Sequence, residues 1–319
     1  GLLVVGLGMS ATRDAMAILR MQADLQNQGY AAAYAVRLAL KSGCELRAIP
    51  VKDLQRHLVE KGIVPASVLE EQDSHPVSDS MLRVATHDAM FGYGNVAFLF
   101  ADPERARPLL ADKYRELSTH SSGRSPDVSL IYAHLLAMLG DRTGEDELIG
   151  WVRAHDWTDA WPEGMGSGLN RMESYILALG RAGSRKAVPA IAEKGAKLVD
   201  AGKAPSASRF RALWIASMAL ADPGLADMLA GLLALPGVTG HAIAYGAEVP
   251  PVPGYTSRSS YSQAEKSDTA REINLAAALV RCGDRDGRGA AVLKAYAADP
   301  RGFYATYARQ VLSARPRGR

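Results

Sequence analysis

Two glycines near the start of the chain and the polar segment behind them have the residue types of an anion-binding loop. The apolar run Leu2 to Val5 reads as a strand, Gly6 and Gly8 lie in the turn after it, and an arginine-containing stretch leads to a helix that we expect to begin at about Gly29. Glycines let a backbone approach a ligand closely, and the first N–H groups of a helix are unpaired and carry partial positive charge. Since the third glycine of the Rossmann fingerprint is missing, this spacing predicts an anion or dipole site without identifying its ligand.

The other residues that could do chemistry give weaker signals. The seven histidines show no spacing typical of a metal site, so no metal is predicted. His134 lies on the apolar face of a predicted helix, where a core histidine is expected. The serines beside glycines at 121–123 and 166–168 stand outside the Gly-x-Ser-x-Gly pattern, and a hydrolase therefore has no support.

Composition sets the class of protein in which these residues work. The chain has 319 residues, 48% hydrophobic and 22% charged, which is typical of globular proteins. A net charge of +3 does not indicate a nucleic-acid partner. Cys44 and Cys282 lie far apart, which excludes a disulfide scaffold and leaves open one chance disulfide. No apolar run approaches 18 residues and the start lacks a signal-peptide pattern, so we expect no membrane span and leave the compartment open between cytoplasm and periplasm.

Most of the chain shows helical periodicity with an internal repeat. Small residues end several predicted helices at spacings of 39, 40, 41 and 62, namely Ala101, Gly140, Gly180, Ala221 and Gly283. Each is followed by a polar turn and a second amphipathic helix, at Pro103 to Leu117, Glu145 to Ala154, Arg185 to Leu198, Gly224 to Leu235 and Arg288 to Ala297. Glycine caps the first helix and Asp or Ser caps the next, which predicts helical hairpins stacked as a right-handed α-solenoid of the HEAT class. The alternative is that Leu-Gly-Asp is only a common helix stop.

The long last spacing maps to an irregular insertion at 236–266, rich in Pro, Gly, Tyr and Ser. A second irregular stretch, 156–168, carries Trp157 and Trp161, and its plainer interpretation is a loop anchored by buried tryptophan. Four side chains of the insertion could contact a substrate: Tyr255, Arg258, Tyr261 and Glu265. His241 and Tyr245, together with Tyr255 and Tyr261, are amphipathic groups suited to the wall of a wet pocket. We predict that residues 241–265 contact the loop from Arg13 to Asn27. The alternative is that the tyrosines only hold the insertion to its own repeat.

The residue string of the first seventy residues resembles a known family. Leu2 to Ala15, Arg20-Met21-Gln22 and Asn27-Gln28-Gly29-Tyr30-Ala31-Ala32 are similar to the last flavin-contacting segment of FAD-dependent oxidoreductases with a two-dinucleotide-binding fold, most of all a bacterial subfamily. The segment from Val51 to Glu60 resembles the family's continuation. Ala33 stands where the family often has glycine, and the N-terminal βαβ unit with its pyrophosphate loop is absent from the sequence.

The resemblance implies that the strand returns to the FAD sheet and that the helix start at Gly29 faces the pyrimidine end of the flavin. N–H groups there would stabilise the negative charge of reduced flavin. The residues implied in cofactor binding are Gly6, Gly8, Ser10, Arg13, Asn27, Gly29, Tyr30 and Ala31. For Arg13, Asp14, Arg20 and Gln22, which would lie near the ring, a structural salt bridge or loop hydrogen bond is the alternative to a role with substrate.

Together these observations predict a mainly α protein in which a strand-loop-helix remnant of an FAD-binding α/β domain, residues 1–75, precedes a HEAT-like helical domain, residues 76–319. The predicted function is the C-terminal portion of an FAD-dependent oxidoreductase that acts on a small-molecule substrate. FAD would bind only together with an N-terminal region that we expect upstream of Gly1, and catalytic residues are not identified. The alternative is a non-catalytic HEAT-like module that binds a protein partner on its solenoid face.

Overall fold

The computed structural model describes residues 3–6, 9, 19, 21–71, 77–91, 93–119, 127–157, 169–204, 206–244 and 263–314. The chain forms two compact units, residues 1–76 and 77–319. All regular structure in the described part is helical, so the prediction of a mainly α protein is confirmed. Within that part, no helix is both long enough and apolar enough to cross a bilayer.

The first unit is built on two helices, α1 (Gln22–Ser42) and α2 (Val51–Glu60), with short 3-10 turns at Leu46–Ala48 and Ala66–Leu69. The predicted stop of α1 at Gly43 is confirmed, because this residue adopts the left-handed conformation at φ 61° that glycine takes without strain. Ala35, Ala39 and Leu58 are the hydrophobic residues that the described part of this unit buries.

The second unit contains twelve helices in the described residues, α3 to α14. They are α3 (Asp79–Asp88), α4 (Val96–Ala101), α5 (Pro103–Thr119), α6 (Asp127–Met138), α7 (Glu145–Ala154), α8 (Arg171–Arg181), α9 (Val188–Asp200), α10 (Ala207–Leu220), α11 (Ala226–Leu233), α12 (Gln263–Cys282), α13 (Arg288–Ala297) and α14 (Gly302–Ser313). Helix α12 begins inside the predicted insertion, which is therefore shorter than 236–266 at its C-terminal end.

These helices pack in two layers that follow the chain order. Helices α6, α8, α10 and α12 each contact the next, and helices α7, α9 and α11 do the same beside them. The bounds predicted for α7 and α13 are confirmed to the residue, whereas α9 and α11 each begin after a 3-10 turn, at Arg185–Ala187 and Pro223–Leu225. The predicted helix-turn-helix units therefore exist. From α6 onward their buried residues form one cluster, whereas those of α3 to α5 form a second cluster with part of α6.

The turns inside the hairpins follow the predicted capping chemistry at three positions. Gly140 and Gly283 adopt φ of 83° and 94° after α6 and α12, and Ala221 adopts φ 48° after α10. An aspartate follows each of them, and its carboxylate accepts backbone N–H groups in the turn or at the start of the next element, for example Gly224 N to Asp222 Oδ1 at 2.9 Å. Ala221 is the strained member of the set, because a Cβ disfavours the left-handed region.

Gly180 does not have the predicted capping role. It lies inside α8, and the left-handed residue of this repeat is Gly183, at φ 68°. A Cβ built on Gly180 would lie 2.5 Å from Cα and 2.7 Å from Cβ of Ala216 in α10. Gly180 therefore allows α8 and α10 to approach closely, a role that depends on a neighbour 36 residues away and gives no local signal.

A buried lysine fixes the end of α7. Lys194 is 0% exposed and its Nζ donates to the carbonyl oxygens of Arg153 at 3.1 Å and His155 at 2.7 Å. The indole Nε1 of half-buried Trp157 donates to the Lys194 carbonyl at 2.9 Å. Burial lowers the pKa of the Lys194 amino group. The segment after α7 is thus tied to α9 by both the side chain and the backbone of one residue, whereas Trp161 lies outside the described residues.

Candidate functional site

The helix on which the predicted site depends begins earlier than its sequence pattern indicates. Helix α1 starts at Gln22, so Gly29 lies in its third turn and the N–H groups of Gly29, Tyr30 and Ala31 are paired inside the helix. The prediction of a helix start at Gly29 is wrong in this structure. Gln, Ala and Leu between residues 22 and 28 favour a helix, and a single interior glycine costs only about 1 kcal/mol relative to alanine.

The turn at Gly6 is held by a side chain that the sequence analysis did not single out. Gly6 adopts φ 72°, and its N–H donates to Oε1 of Gln28 at 3.1 Å. Nε2 of the same amide donates to the carbonyl of Leu19 at 3.0 Å. Gln28 therefore joins α1 to the segment in front of it and occupies the N–H group of Gly6, one of the residues predicted to bind the cofactor.

The predicted strand before this turn is not seen. Leu2 lies outside the described residues, and Leu3, Val4 and Val5 belong to no helix or strand and are 43%, 53% and 42% exposed. A strand needs a neighbour to pair with its backbone, and the described residues offer it none. These three residues present an apolar surface of the first unit.

Several residues predicted to bind the cofactor fall outside the described part of the chain, namely Gly8, Ser10 and Arg13, together with Asp14 and Arg20. Asn27 and Gln22 are exposed on α1. Their roles stay predictions.

An aromatic cluster missed by the sequence analysis joins α1 to α2. The ring of His57 stacks on Tyr34 with centroids 3.6 Å apart, and its Nε2 lies 2.8 Å from the hydroxyl of Tyr30. The guanidinium of Arg37 lies over the Tyr34 ring, 5.6 Å from its centroid. Tyr30 and Tyr34 are four residues apart and so share a helix face, which is the signal that could have revealed the cluster. It fixes the second half of α1 to α2.

In the second unit, His134 is a structural residue, as predicted. Its Nδ1 lies 2.9 Å from the hydroxyl of Tyr93, and its ring meets Tyr175 edge-on. Burial lowers the pKa of His134 to about 4, so the imidazole is neutral at physiological pH. Tyr93 itself holds φ 67°, a strained conformation for a bulky residue, and links the turn before α4 to α6.

The start of the insertion is held by two buried carboxylates. Glu272 on α12 accepts the N–H groups of Gly240 and His241, both at 2.9 Å, and the hydroxyl of Tyr296 at 2.7 Å. Asp299 accepts the N–H of Ile243 at 2.8 Å and is paired with Arg301. We call Glu272, Asp299 and Arg301 the carboxylate clamp.

Arg301 completes the clamp by bridging the insertion and the helices. Its Nη2 donates to the His241 carbonyl and its Nη1 to Thr269 Oγ1, and its guanidinium lies 4.8 Å from the Tyr304 ring centroid. Burial raises the pKa of Asp299, but the hydrogen bonds from Arg301 and from the Ile243 N–H outweigh it and bring the pKa below its usual value. The clamp therefore holds residues 240–243 with charged groups removed from water.

The remaining predicted candidates are only partly within the described residues. Tyr245, Tyr255, Arg258 and Tyr261 lie outside them, as do the serines at 121–122 and 167, and the side chain of Glu265 is not described. His241 is described, and its Nε2 lies 3.1 Å from the carbonyl of Gly237. The contact between 241–265 and the Arg13 to Asn27 loop stays a prediction. The described residues contain no group of three or more His, Cys, Asp or Glu side chains placed to hold a metal.

The first unit is similar to a known protein family. A family model described as FAD dependent oxidoreductase matches residues 1–58, which covers α1 and most of α2. No curated protein and no solved structure matches the chain. The N-terminal segment is thus similar to a flavoprotein oxidoreductase family.

The described residues of this segment do not form an open binding site for the cofactor. The N–H of Gly6 is occupied by Gln28, and those of Gly29 to Ala31 are occupied within α1. FAD would therefore not fit the described arrangement without a change in the segment before Gly29.

Proposed function

We propose that residues 1–58 belong to the FAD-binding domain of an oxidoreductase and that the complete protein transfers electrons between FAD and a small-molecule substrate. The observation that carries this proposal is the family match to residues 1–58. The exposed apolar residues of this unit support it, because Leu3, Val4, Val5, Val36 and Leu40 are between 38% and 79% exposed and a larger domain would cover such side chains. The flavin would supply the redox chemistry. What this chain contributes is an α1–α2 platform whose aromatic cluster sets the orientation of the two helices.

We further propose that residues 77–319 form a HEAT-like α-solenoid of the bacterial type of flavoprotein suggested by the sequence. The support is the register between two neighbouring hairpins, the one that contains α7 and the one that contains α9, which matches the period near 40. Lys186 pairs with Asp146, 40 residues away, and Lys194 binds the Arg153 carbonyl, 41 residues away.

A second sign of the repeat lies on α8, α10 and α12, which belong to the same layer. An arginine stands twelve residues before the left-handed cap in three successive helices, at Arg171, Arg209 and Arg271 before Gly183, Ala221 and Gly283. The guanidinium of Arg271 lies over the Phe210 ring of the preceding repeat at 4.7 Å. A protein partner on this array remains part of the proposal, and the family match gives no support to a purely non-catalytic module.

The test of the flavoprotein proposal starts from the complete reading frame. We expect a strand followed by Gly-x-Gly-x-x-Gly upstream of residue 1, and a purified full-length protein with the absorbance bands of bound flavin. The 319-residue chain by itself has no such loop in its sequence and is expected to purify without flavin. A full-length protein that neither contains the loop nor binds FAD when titrated with it would refute the proposal.

A further inference from the structure

A groove of about 380 Å³ runs along α5, between this helix and the turn that joins α6 to α7. We propose that it binds a short peptide whose two termini are both free and charged. The inference concerns the second unit alone and does not depend on the function proposed above. The volume lies at the lower end of the range that is usual for small-ligand sites, about 300–1,000 Å³.

One wall of the groove is a single face of α5. The residues that form it stand three or four positions apart, or side by side, and so lie on the same side of the helix. They are Glu104, Arg107, Pro108, Ala111 and Arg115. From Glu104 to Arg115 this face is about 16 Å long, at 1.5 Å per residue.

The opposite wall is the turn after α6, which contributes Asp141 and Thr143. The Thr143 N–H donates to Asp141 Oδ1 at 2.8 Å. Gly144 adopts φ 84°, and a Cβ built on it would lie 2.7 Å from the Cβ of Ala133 and 3.0 Å from Cε2 of Tyr114 on α5. Glycine thus lets the turn lie close against α5, and the groove is bounded by backbone that packing holds in place.

The charged groups that line the groove balance each other. The guanidinium groups of Arg107 and Arg115 are matched by the carboxylates of Glu104 and Asp141. A ligand of one charge is attracted by one pair and repelled by the other, whereas a ligand with both charges at separate ends can satisfy both. The groove therefore favours a zwitterion.

The order of the charges along α5 indicates how long this zwitterion is. The acidic residue Glu104 lies at one end of the face and the basic residue Arg115 at the other. An extended peptide of three or four residues spans about 10–14 Å, and the two long side chains cover the remaining distance. Its ammonium group would lie at Glu104 and its carboxylate at Arg115.

The ion pairs within α5 do not prevent this binding. Arg107 pairs with Glu104 at 3.2 Å, and Arg115 pairs with Asp112, each with a partner three residues away. The Arg115 and Glu104 side chains are 64% and 88% exposed, and pairs in such positions contribute little to stability. A charged peptide terminus can therefore replace one partner at small cost.

The groove also contains a proline in the interior of a helix. Pro108 has no N–H, so the carbonyl of Glu104 lacks the donor that residue 108 supplies in a regular helix. Interior proline weakens a helix, and stability alone does not explain its presence here. In the proposed complex this carbonyl accepts an N–H group of the peptide, while Pro108 and the buried Ala111 form an apolar floor.

Titration of the 319-residue chain with trialanine at pH 7, followed by the NMR chemical shifts of backbone amides, tests the proposal. We expect a Kd of about 1 mM and shift changes concentrated at residues 104–115 and 141–144. N-acetyl-trialanine lacks the ammonium group and trialanine amide lacks the carboxylate, so each should bind about five-fold more weakly. Equal binding of the free and the capped peptides, or no saturable shift in the groove, would overturn the proposal.

Arg115→Gln separates the peptide carboxylate from the rest of the ligand. It should weaken the binding of trialanine about five-fold and leave that of trialanine amide unchanged. Lys113→Gln is the matched control, because Lys113 lies on the same helix and pairs with Glu116 outside the groove. Equal effects of the two variants would show that the charge of α5 as a whole, and not the groove, attracts the peptide.

Pro108→Ala distinguishes a role in binding from a role in the fold. Alanine restores the N–H that pairs with the Glu104 carbonyl, so the urea midpoint should rise while trialanine binding weakens. A rise in stability with unchanged peptide binding would contradict the contact between the peptide and this carbonyl.

Discussion

The two units of the chain hold their helices by different means. In the described residues the first unit buries three hydrophobic side chains, Ala35, Ala39 and Leu58, while the second buries two large clusters of leucines, alanines and aromatic residues. In the first unit, helix α1 depends on local propensity and one aromatic cluster, whereas the helices of the second are fixed by close packing and buried charges. Substitutions should therefore be costly and global in the second unit and small and local in the first.

The largest effect is expected at the carboxylate clamp. Asp299→Ala leaves the Arg301 guanidinium, whose side chain is 17% exposed, without its buried partner and should lower the free energy of unfolding by about 3–4 kcal/mol. Urea denaturation of the full chain measures this. Asp112→Ala, which removes an aspartate from an exposed pair with Arg115, is the control and should have little effect.

The same aspartate gives a pH dependence with a definite sign. Because the pKa of Asp299 is lower in the folded than in the unfolded chain, its contribution is present above its unfolded pKa, near 3.9, and is lost as the pH falls below that value. The difference in unfolding free energy between wild type and Asp299→Ala should narrow between pH 5 and pH 3. A constant difference over this range would contradict the ion-pair interpretation.

Gly180→Ala should have the next largest effect. The new Cβ would lie 2.5 Å from Ala216 Cα, so α8 and α10 must separate, at a cost of about 2–3 kcal/mol. Gly150→Ala, in open space on α7, should stabilise the chain by up to about 1 kcal/mol. Similar thermal midpoints for the two variants would show that the layers of the second unit adapt to added volume.

Lys194→Met should cost about 2 kcal/mol, because methionine keeps the buried stem but leaves the carbonyls of Arg153 and His155 without their donor. Lys197→Met on the same helix removes only an exposed pair with Asp156 and should be indistinguishable from wild type in urea denaturation. An equal loss in both variants would mean that the charge near Asp156 matters and the carbonyl contacts do not.

The smallest effect is expected in the first unit. His57→Ala removes the stack on Tyr34 and the hydrogen bond with Tyr30, and should reduce the protection of α2 amides by about 1 kcal/mol without changing exchange in the second unit. His87→Ala, an exposed histidine beside Asp88, is the control. Slower folding or faster exchange throughout 77–319 in His57→Ala would contradict the claim that substitutions in the first unit have only local effects.

How far the sequence predicted the fold depends on whether the signal is local. The starts and ends of α7 and α13 and the caps at Gly140 and Gly283 were predictable because capping chemistry involves residues a few positions apart. The start of α1 was not predictable, because the residues before Gly29 favour a helix whereas the glycine itself disfavours one. The cost of an interior glycine relative to alanine is only about 1 kcal/mol, which is too small to decide where the helix begins.

The contacts that shape the candidate site join residues that lie far apart in the sequence. Gln28 binds Gly6 across 22 residues, and Glu272 binds Gly240 across 32, so neither pair leaves a pattern that a single sequence displays. The role of Gly180 likewise depends on Ala216. The resemblance to flavoproteins was predictable because a continuous string of residues carries it, and the family match to 1–58 supports that part.

The carboxylate clamp also bears on how this protein can change over time. It joins separate parts of the second unit to the backbone at 240–243, because Glu272 belongs to α12 whereas Asp299 and Arg301 stand between α13 and α14. A mutation of any one of these three side chains therefore disturbs backbone that lies far away in the sequence. We expect the three positions to evolve together and not independently, since the effects of substitutions within one hydrogen-bond network are not additive.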